Sequence, residues 1–133
     1  MSKLVLCLGS NVNATKNMDE ARRRLKEHFE DMVFTHDIVS TPVGIEAAVF
    51  TNCMAQTNTT LSYDEIHDML KQMERQCGDT PEQRERNQVC MDIDLLQLGR
   101  TRYKKADWKR PYIRELKRQL DQLSEQQAKR NKQ

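Results

Sequence analysis

Leu4-Val5-Leu6-Cys7-Leu8 is an unbroken apolar run that Gly9 closes. A strand with one wet face alternates polar and apolar residues, whereas a continuous run predicts a central strand buried on both faces. A chain of 133 residues has material for one core of ordinary size. Everything after Gly9 must therefore supply the partners of that strand. Gly9-Ser10-Asn11 turns the chain, and Asn17 with Glu20 three residues later has the pattern of a capping box. Met18, Ala21, Leu25 and Phe29, opposite Arg22, Arg23 and Lys26, predict an amphipathic helix over 17–29. Residues 32–41 are β-branched and aromatic enough for a strand, which Pro42 and Gly44 end. A further strand is expected over about 50–60. A second capping box, Ser62 with Glu65, opens a helix striped by Ile66, Met69, Leu70 and Met73 and stopped by Gly78. The polar segment 79–88 leads to a strand over 89–98, closed by Gly99. The order β-α-β-β-α-β predicts an α+β fold of ferredoxin-like type, an antiparallel sheet with helices on one face, plus a C-terminal helix.

Charge divides the chain at the same place. Residues 1–99 carry 10 basic and 16 acidic side chains, and residues 100–133 carry 12 and 4. The expected organisation is a domain over 1–99 and a basic C-terminal extension over 100–133. In that extension Pro111 opens a helix, Ile113, Leu116, Leu120 and Leu123 stripe it, and residues 124–133 fray. The stripe fits docking on the domain or pairing with a second copy. The basic extension reads as a solvated helix in preference to a nucleic-acid surface. No apolar run approaches the roughly 18 residues that a membrane span requires. Cys7, Cys53, Cys77 and Cys90 are far apart, without a CxxC pair or a histidine at zinc-ligand spacing. They read as free thiols in a reducing cytoplasm.

The segment with most chemistry is Met91-Asp92-Ile93-Asp94-Leu95-Leu96. On a strand, residues two apart share a face at roughly 6.7 Å, so Asp92 and Asp94 present two carboxylates together. Aspartate is depleted in strands, and such a pair suits a hard, oxygen-seeking cation such as Mg²⁺ set against phosphates. An acidic, solvated strand face is the plainer reading of the same three residues.

Gly9-Ser10-Asn11, Thr41-Pro42-Val43-Gly44, Asn52, Asp92-Ile93-Asp94 and Gly99 occur in this order. Together they resemble the 6-hydroxymethyl-7,8-dihydropterin pyrophosphokinase family over about residues 4–99. The resemblance implies ATP-dependent transfer of a pyrophosphoryl group to a pterin alcohol in folate biosynthesis, with release of AMP. It implies that Asp92 and Asp94 bind paired Mg²⁺ between ATP and pterin, that Asn52 recognises the pterin edge, and that Phe50 stacks on the ring. Thr41, Pro42 and Val43 match the loop whose backbone touches that ring, and Glu74 matches an acidic position near the nucleotide. The chain departs from the pattern at Val89, where the family has a phosphate-clamping arginine, and in lacking a tryptophan between Gly78 and Asp92. Arg84 and Arg86 are the basic residues of that loop and the candidates for phosphate contact. The family's Pro-His segment is replaced by Lys104 to Tyr112, in which Lys104, Lys105, Lys109 and Arg110 offer cations and Trp108 and Tyr112 offer rings. Two other readings stand beside the enzyme: a homologue that keeps the fold and a metal or pterin site without turnover, and an interaction protein using the basic tail.

Overall fold

The computed structural model describes residues 1–41 and 49–131. Pro42, Val43 and Gly44 of the expected substrate loop lie outside them. The sequence folds as an antiparallel sheet with helices on both sides. Strand β1 (Ser2–Ser10) is its centre, paired with β4 (Phe50–Thr59) on one side and β5 (Asp92–Leu98) on the other. Short strands β2 (Val33–Phe34) and β3 (Ile38–Ser40) pair β4 at one edge, and β6 (Thr101–Arg102) pairs β5 at the other. Taking β2 and β3 as one interrupted strand, the order is β2/β3-β4-β1-β5-β6. This is the ferredoxin-like α+β arrangement that the sequence predicts.

The apolar run has its explanation in two cores. Leu4, Leu6 and Leu8 point to one face, where α1 (Ala14–His28) and α2 (Tyr63–Gln76) bury Met18, Ala21, Leu25, Ile66, Leu70 and Met73 against them. Val5 and Cys7 point to the other, where α4 (Pro111–Asn131) lays Ile113, Leu116 and Leu120 over Met54 and Leu96. The stripe of the tail is thus used in cis, and Gln56 fastens it further by donating to Ser124 Oγ at 3.0 Å. The helix continues to Asn131 where fraying was expected from residue 124.

Local chemistry decides the remaining details. Ser62 and Glu65 form the expected capping box, and Gly78 ends α2 at φ 99°. The capping box at Asn17 does not form. Helix α1 starts three residues earlier, after Asn13 in the left-handed region, and Asn17 Nδ2 donates to Val12 O at 2.6 Å. Glu20 is engaged instead by Arg23 and Arg24. The strand expected over 32–41 is broken by one extra residue opposite β4. There Thr35 N donates to Met54 O and Thr35 Oγ1 accepts from Met54 N, both at 2.9 Å, which keeps the bulge's buried backbone satisfied. The polar segment 79–88 contains a short helix, α3 (Pro81–Glu85), started by Thr80 and Pro81. No helix among the described residues is long and apolar enough to cross a membrane.

Candidate active site

Helix α4 covers only part of its sheet face. Towards the Gly9 end of β1 the face is open, and a cleft of about 230 Å³ forms there, lined by Cys7, Gly9, Ser40, Thr41, Phe50, Asn52, Asp92, Asp94, Asp107, Arg110 and Tyr112. Strand register puts these groups together: Asp92 lies opposite Gly9, which lies opposite Asn52, and Asp94 lies opposite Cys7. Asn52 is 4% exposed, and its Nδ2 donates to Ser40 Oγ at 2.8 Å. A Cβ on Gly9 would stand 3.0 Å from Asn52 Oδ1 and 3.4 Å from Phe50 Cδ1. Glycine here makes room for the cleft's polar and aromatic side chains. Ser10 and Asn11 do a different job. Asn11 N donates to Val89 O at 3.0 Å, Val89 N to Asn11 Oδ1 at 2.7 Å, and Asn11 Nδ2 to Asn87 O at 2.8 Å. The residues after β1 thereby fix the entry to the acidic strand.

The two aspartates share the cleft face, and each has a cation beside it. Arg84 Nη2 lies 3.5 Å from Asp92 Oδ1, while its Nε donates to Asp79 at 2.9 and 3.1 Å. Lys104 Nζ lies 3.1 Å from Asp94 Oδ1. Burial, and then repulsion from Asp92, push the Asp94 carboxyl up to about 7, against the pull of Lys104. Burial disfavours the charged form of a carboxyl, and a neighbouring carboxylate disfavours it further. Below about pH 4, the ordinary carboxyl value, Asp94 is protonated in folded and unfolded chains alike. As pH rises from there to about 7, the unfolded chain gives up this proton and the folded one retains it, so stability falls across that window and is level above it. Asp94→Asn is therefore expected to stabilise the metal-free protein at pH 8 by about 1–3 kcal/mol, with the gain fading towards pH 4. Urea unfolding at the two pH values measures it.

Asp94 is also in the wall of a second cleft, of about 300 Å³, on the far side of the β5 edge, with Tyr63, His67, Leu70, Lys71, Ile93, Leu95, Tyr103 and Lys104. Tyr63 packs on Tyr103 with ring centroids 4.8 Å apart and stacks on His67 at 5.8 Å. An aromatic and dibasic hollow therefore meets an aromatic and amide hollow at one carboxylate.

Of the residues singled out in the sequence, Thr41, Phe50, Asn52, Asp92 and Asp94 line the first cleft together. Arg84 reaches Asp92 from α3, while Arg86 at the end of α3 is exposed. Glu74 is 3% exposed and lies beneath β5, in the wall of neither cleft. Its carboxylate accepts from Ile93 N at 2.8 Å and from Lys71 Nζ at 3.1 Å. Burial raises the Glu74 carboxyl, against those two donors. Trp108 anchors the tail, donating to Tyr103 O at 3.0 Å and Leu96 O at 3.2 Å, with the Arg102 guanidinium 3.9 Å over its ring. Cys7, Ser40 and Asp107 of the first cleft, and Tyr63, His67, Lys71 and Tyr103 of the second, were not singled out as site residues. The signal open to a reader was register: Cys7 is two residues before Gly9, and His67 and Lys71 lie one helical turn apart.

Two carboxylates suit Mg²⁺, which commonly takes one or two from a protein and fills its octahedron with phosphate oxygens and water. Among the described residues no group of three or more candidate ligands would hold a metal without such help. The four cysteines are free.

A search of curated proteins found no match. A sequence model of the 7,8-dihydro-6-hydroxymethylpterin-pyrophosphokinase family matches residues 5–122, running past Gly99 and through most of α4. With the ferredoxin-like sheet, the paired aspartates and a match over most of its length, the chain belongs to the 7,8-dihydro-6-hydroxymethylpterin-pyrophosphokinase family.

Proposed function

We propose that this protein transfers the pyrophosphoryl group of ATP to 6-hydroxymethyl-7,8-dihydropterin, releasing AMP, and that Asp92 and Asp94 hold the Mg²⁺ the reaction uses. The observation that carries the reading is the meeting of two unlike clefts at Asp94. The pterin belongs in the first. Phe50 offers a flat apolar wall, and Ser40 fixes the Asn52 amide for edge recognition. ATP belongs in the second, its base against Tyr63 and Tyr103 and its phosphates towards Lys71 and Lys104. Arg84, beside Asp92, and Arg110, in the first cleft and paired with Asp107, are the arginines we assign to the polyphosphate. Bound Mg²⁺ would supply charge neutralisation on the phosphates. The hydroxymethyl oxygen attacks the β-phosphorus, the bond from that phosphorus to the α–β bridging oxygen breaks, and AMP departs with that oxygen. The hydroxyl proton goes to solvent. The protein contributes alignment and fixed charge, with no covalent intermediate. Its free cysteines suit a reducing compartment, and we place the reaction in the cytoplasm.

Chromatography of AMP and pterin diphosphate after mixing protein, MgATP and the pterin alcohol tests the reading. Products scaling with protein support it. Val89 in the arginine position favours the second reading, binding without turnover, and a folded protein that binds both ligands and makes no AMP would establish that one instead.

Gly9→Ala probes the pterin half alone. The new methyl would press on an Asn52 side chain that Ser40 prevents from yielding. The pterin KM is expected to rise about ten-fold, with a stability loss of only about 1 kcal/mol and little change in the KM for ATP.

A further inference from the structure

We propose that Lys104 is a resident counter-charge of the acidic pair, holding Asp94 while the cation site is vacant and moving onto the nucleotide's phosphate when the metal takes its place; this rests on the functional reading above. Lys104 Nζ sits 3.1 Å from Asp94 Oδ1, and the lysine side chain is 50% exposed against 20% for the aspartate. The cation is therefore the mobile partner and the carboxylate the fixed one. Its backbone is in the left-handed region at φ 52°, a conformation uncommon for a residue with a side chain. That turn follows β6 directly and aims the ammonium back across the edge of β5. Tyr103 N donates to Leu96 O at 2.9 Å and Asp107 N to Lys104 O at 2.8 Å, so the turn is fixed on both sides. Lys104 also lines the aromatic cleft, as Lys71 does. Lys71 is held by Glu74, a buried carboxylate in the wall of neither cleft, whereas the partner of Lys104 is the carboxylate of the acidic pair itself. A lysine ammonium suits this exchange, being a compact point charge on a flexible stem with no fixed fork geometry to satisfy.

Lys104→Gln tests this, because it removes the charge and keeps most of the stem. Calorimetric titration with Mg²⁺ alone should show binding about three-fold tighter than in the wild type, since a half-exposed competitor is gone. Titration with α,β-methylene-ATP and Mg²⁺, which cannot release AMP, should show binding at least about ten-fold weaker, since a charge-assisted phosphate contact is lost. The opposite signs are the signature. Unchanged Mg²⁺ affinity, or a nucleotide affinity that holds or improves, overturns the proposal. Lys104→Asn, an exchange that tolerates the left-handed backbone, should give the same pair of shifts and guards against an effect of the turn itself. Both titrations are independent of turnover: an inert protein showing both shifts would refute the transferase reading and keep this one.

Discussion

Asp94→Asn is expected to lower AMP release by at least about 10³-fold while making the protein harder to unfold at pH 8. Among the described residues the carboxylate is the one side chain in the walls of both clefts, which under the proposed function is where the scissile phosphates cross. An asparagine keeps its shape and removes the charge that draws a divalent cation. Metal assistance in phosphoryl transfer is worth several kcal/mol, and each 1.36 kcal/mol is ten-fold in rate. Loss of a ligand therefore reaches this range without any change in fold. Asp92→Asn should behave similarly in the assay. Opposed changes in stability and activity separate a lost metal site from a damaged protein. An Asp94→Asn variant within ten-fold of wild-type turnover would contradict the assignment of that carboxylate.

Leu116→Ala is expected to cost about 3 kcal/mol and to lower the thermal midpoint by on the order of 10 °C. Leu116 is fully buried, in the cluster that joins Val5, Cys7, Met54 and Leu96 of the sheet to Ile113 and Leu120 of α4. Truncation leaves a void beneath the helix. The effect extends to the site, since Arg110 and Tyr112, which wall the first cleft, stand at the start of this helix. Burial also raises the Tyr112 phenol to about 12, in keeping with a ring held against the core. The pterin KM should therefore rise as the helix loosens. Calorimetry and the KM together measure it, and a midpoint within about 2 °C of wild type would mean that α4 does not depend on the sheet for its place.

The residues that made the fold legible were those whose pattern has one physical reading. Leu4 to Leu8 had to be buried on both faces, and they are. Ser62 with Glu65 and Gly78 marked the ends of α2 because capping is local chemistry. Asn17 with Glu20 carried the same signature and misled. Arg23 and Arg24 compete for the glutamate, and the chain leaves β1 early enough to start its helix at Ala14. The bulge at Thr35 was illegible because it depends on the register with β4. In the site, period-two alternation alone put Asp92 and Asp94 on one face. The second cleft was hidden, since Tyr63 and Tyr103 are 40 residues apart and meet only when the edge of β5 is built. Glu74 shows the converse. Its place in the sequence fits a site residue, yet folding commits its carboxylate to the Ile93 amide and Lys71.

Electron paramagnetic resonance of Mn²⁺, titrated into the protein with α,β-methylene-ATP, tests most directly whether the acidic pair seats divalent cations against polyphosphate. About two ordered ions per chain are expected in the wild type, as in two-metal phosphoryl-transfer sites, with loss of both in the Asp92→Asn, Asp94→Asn double variant. Equal Mn²⁺ occupancy in the two proteins would contradict that role of the pair.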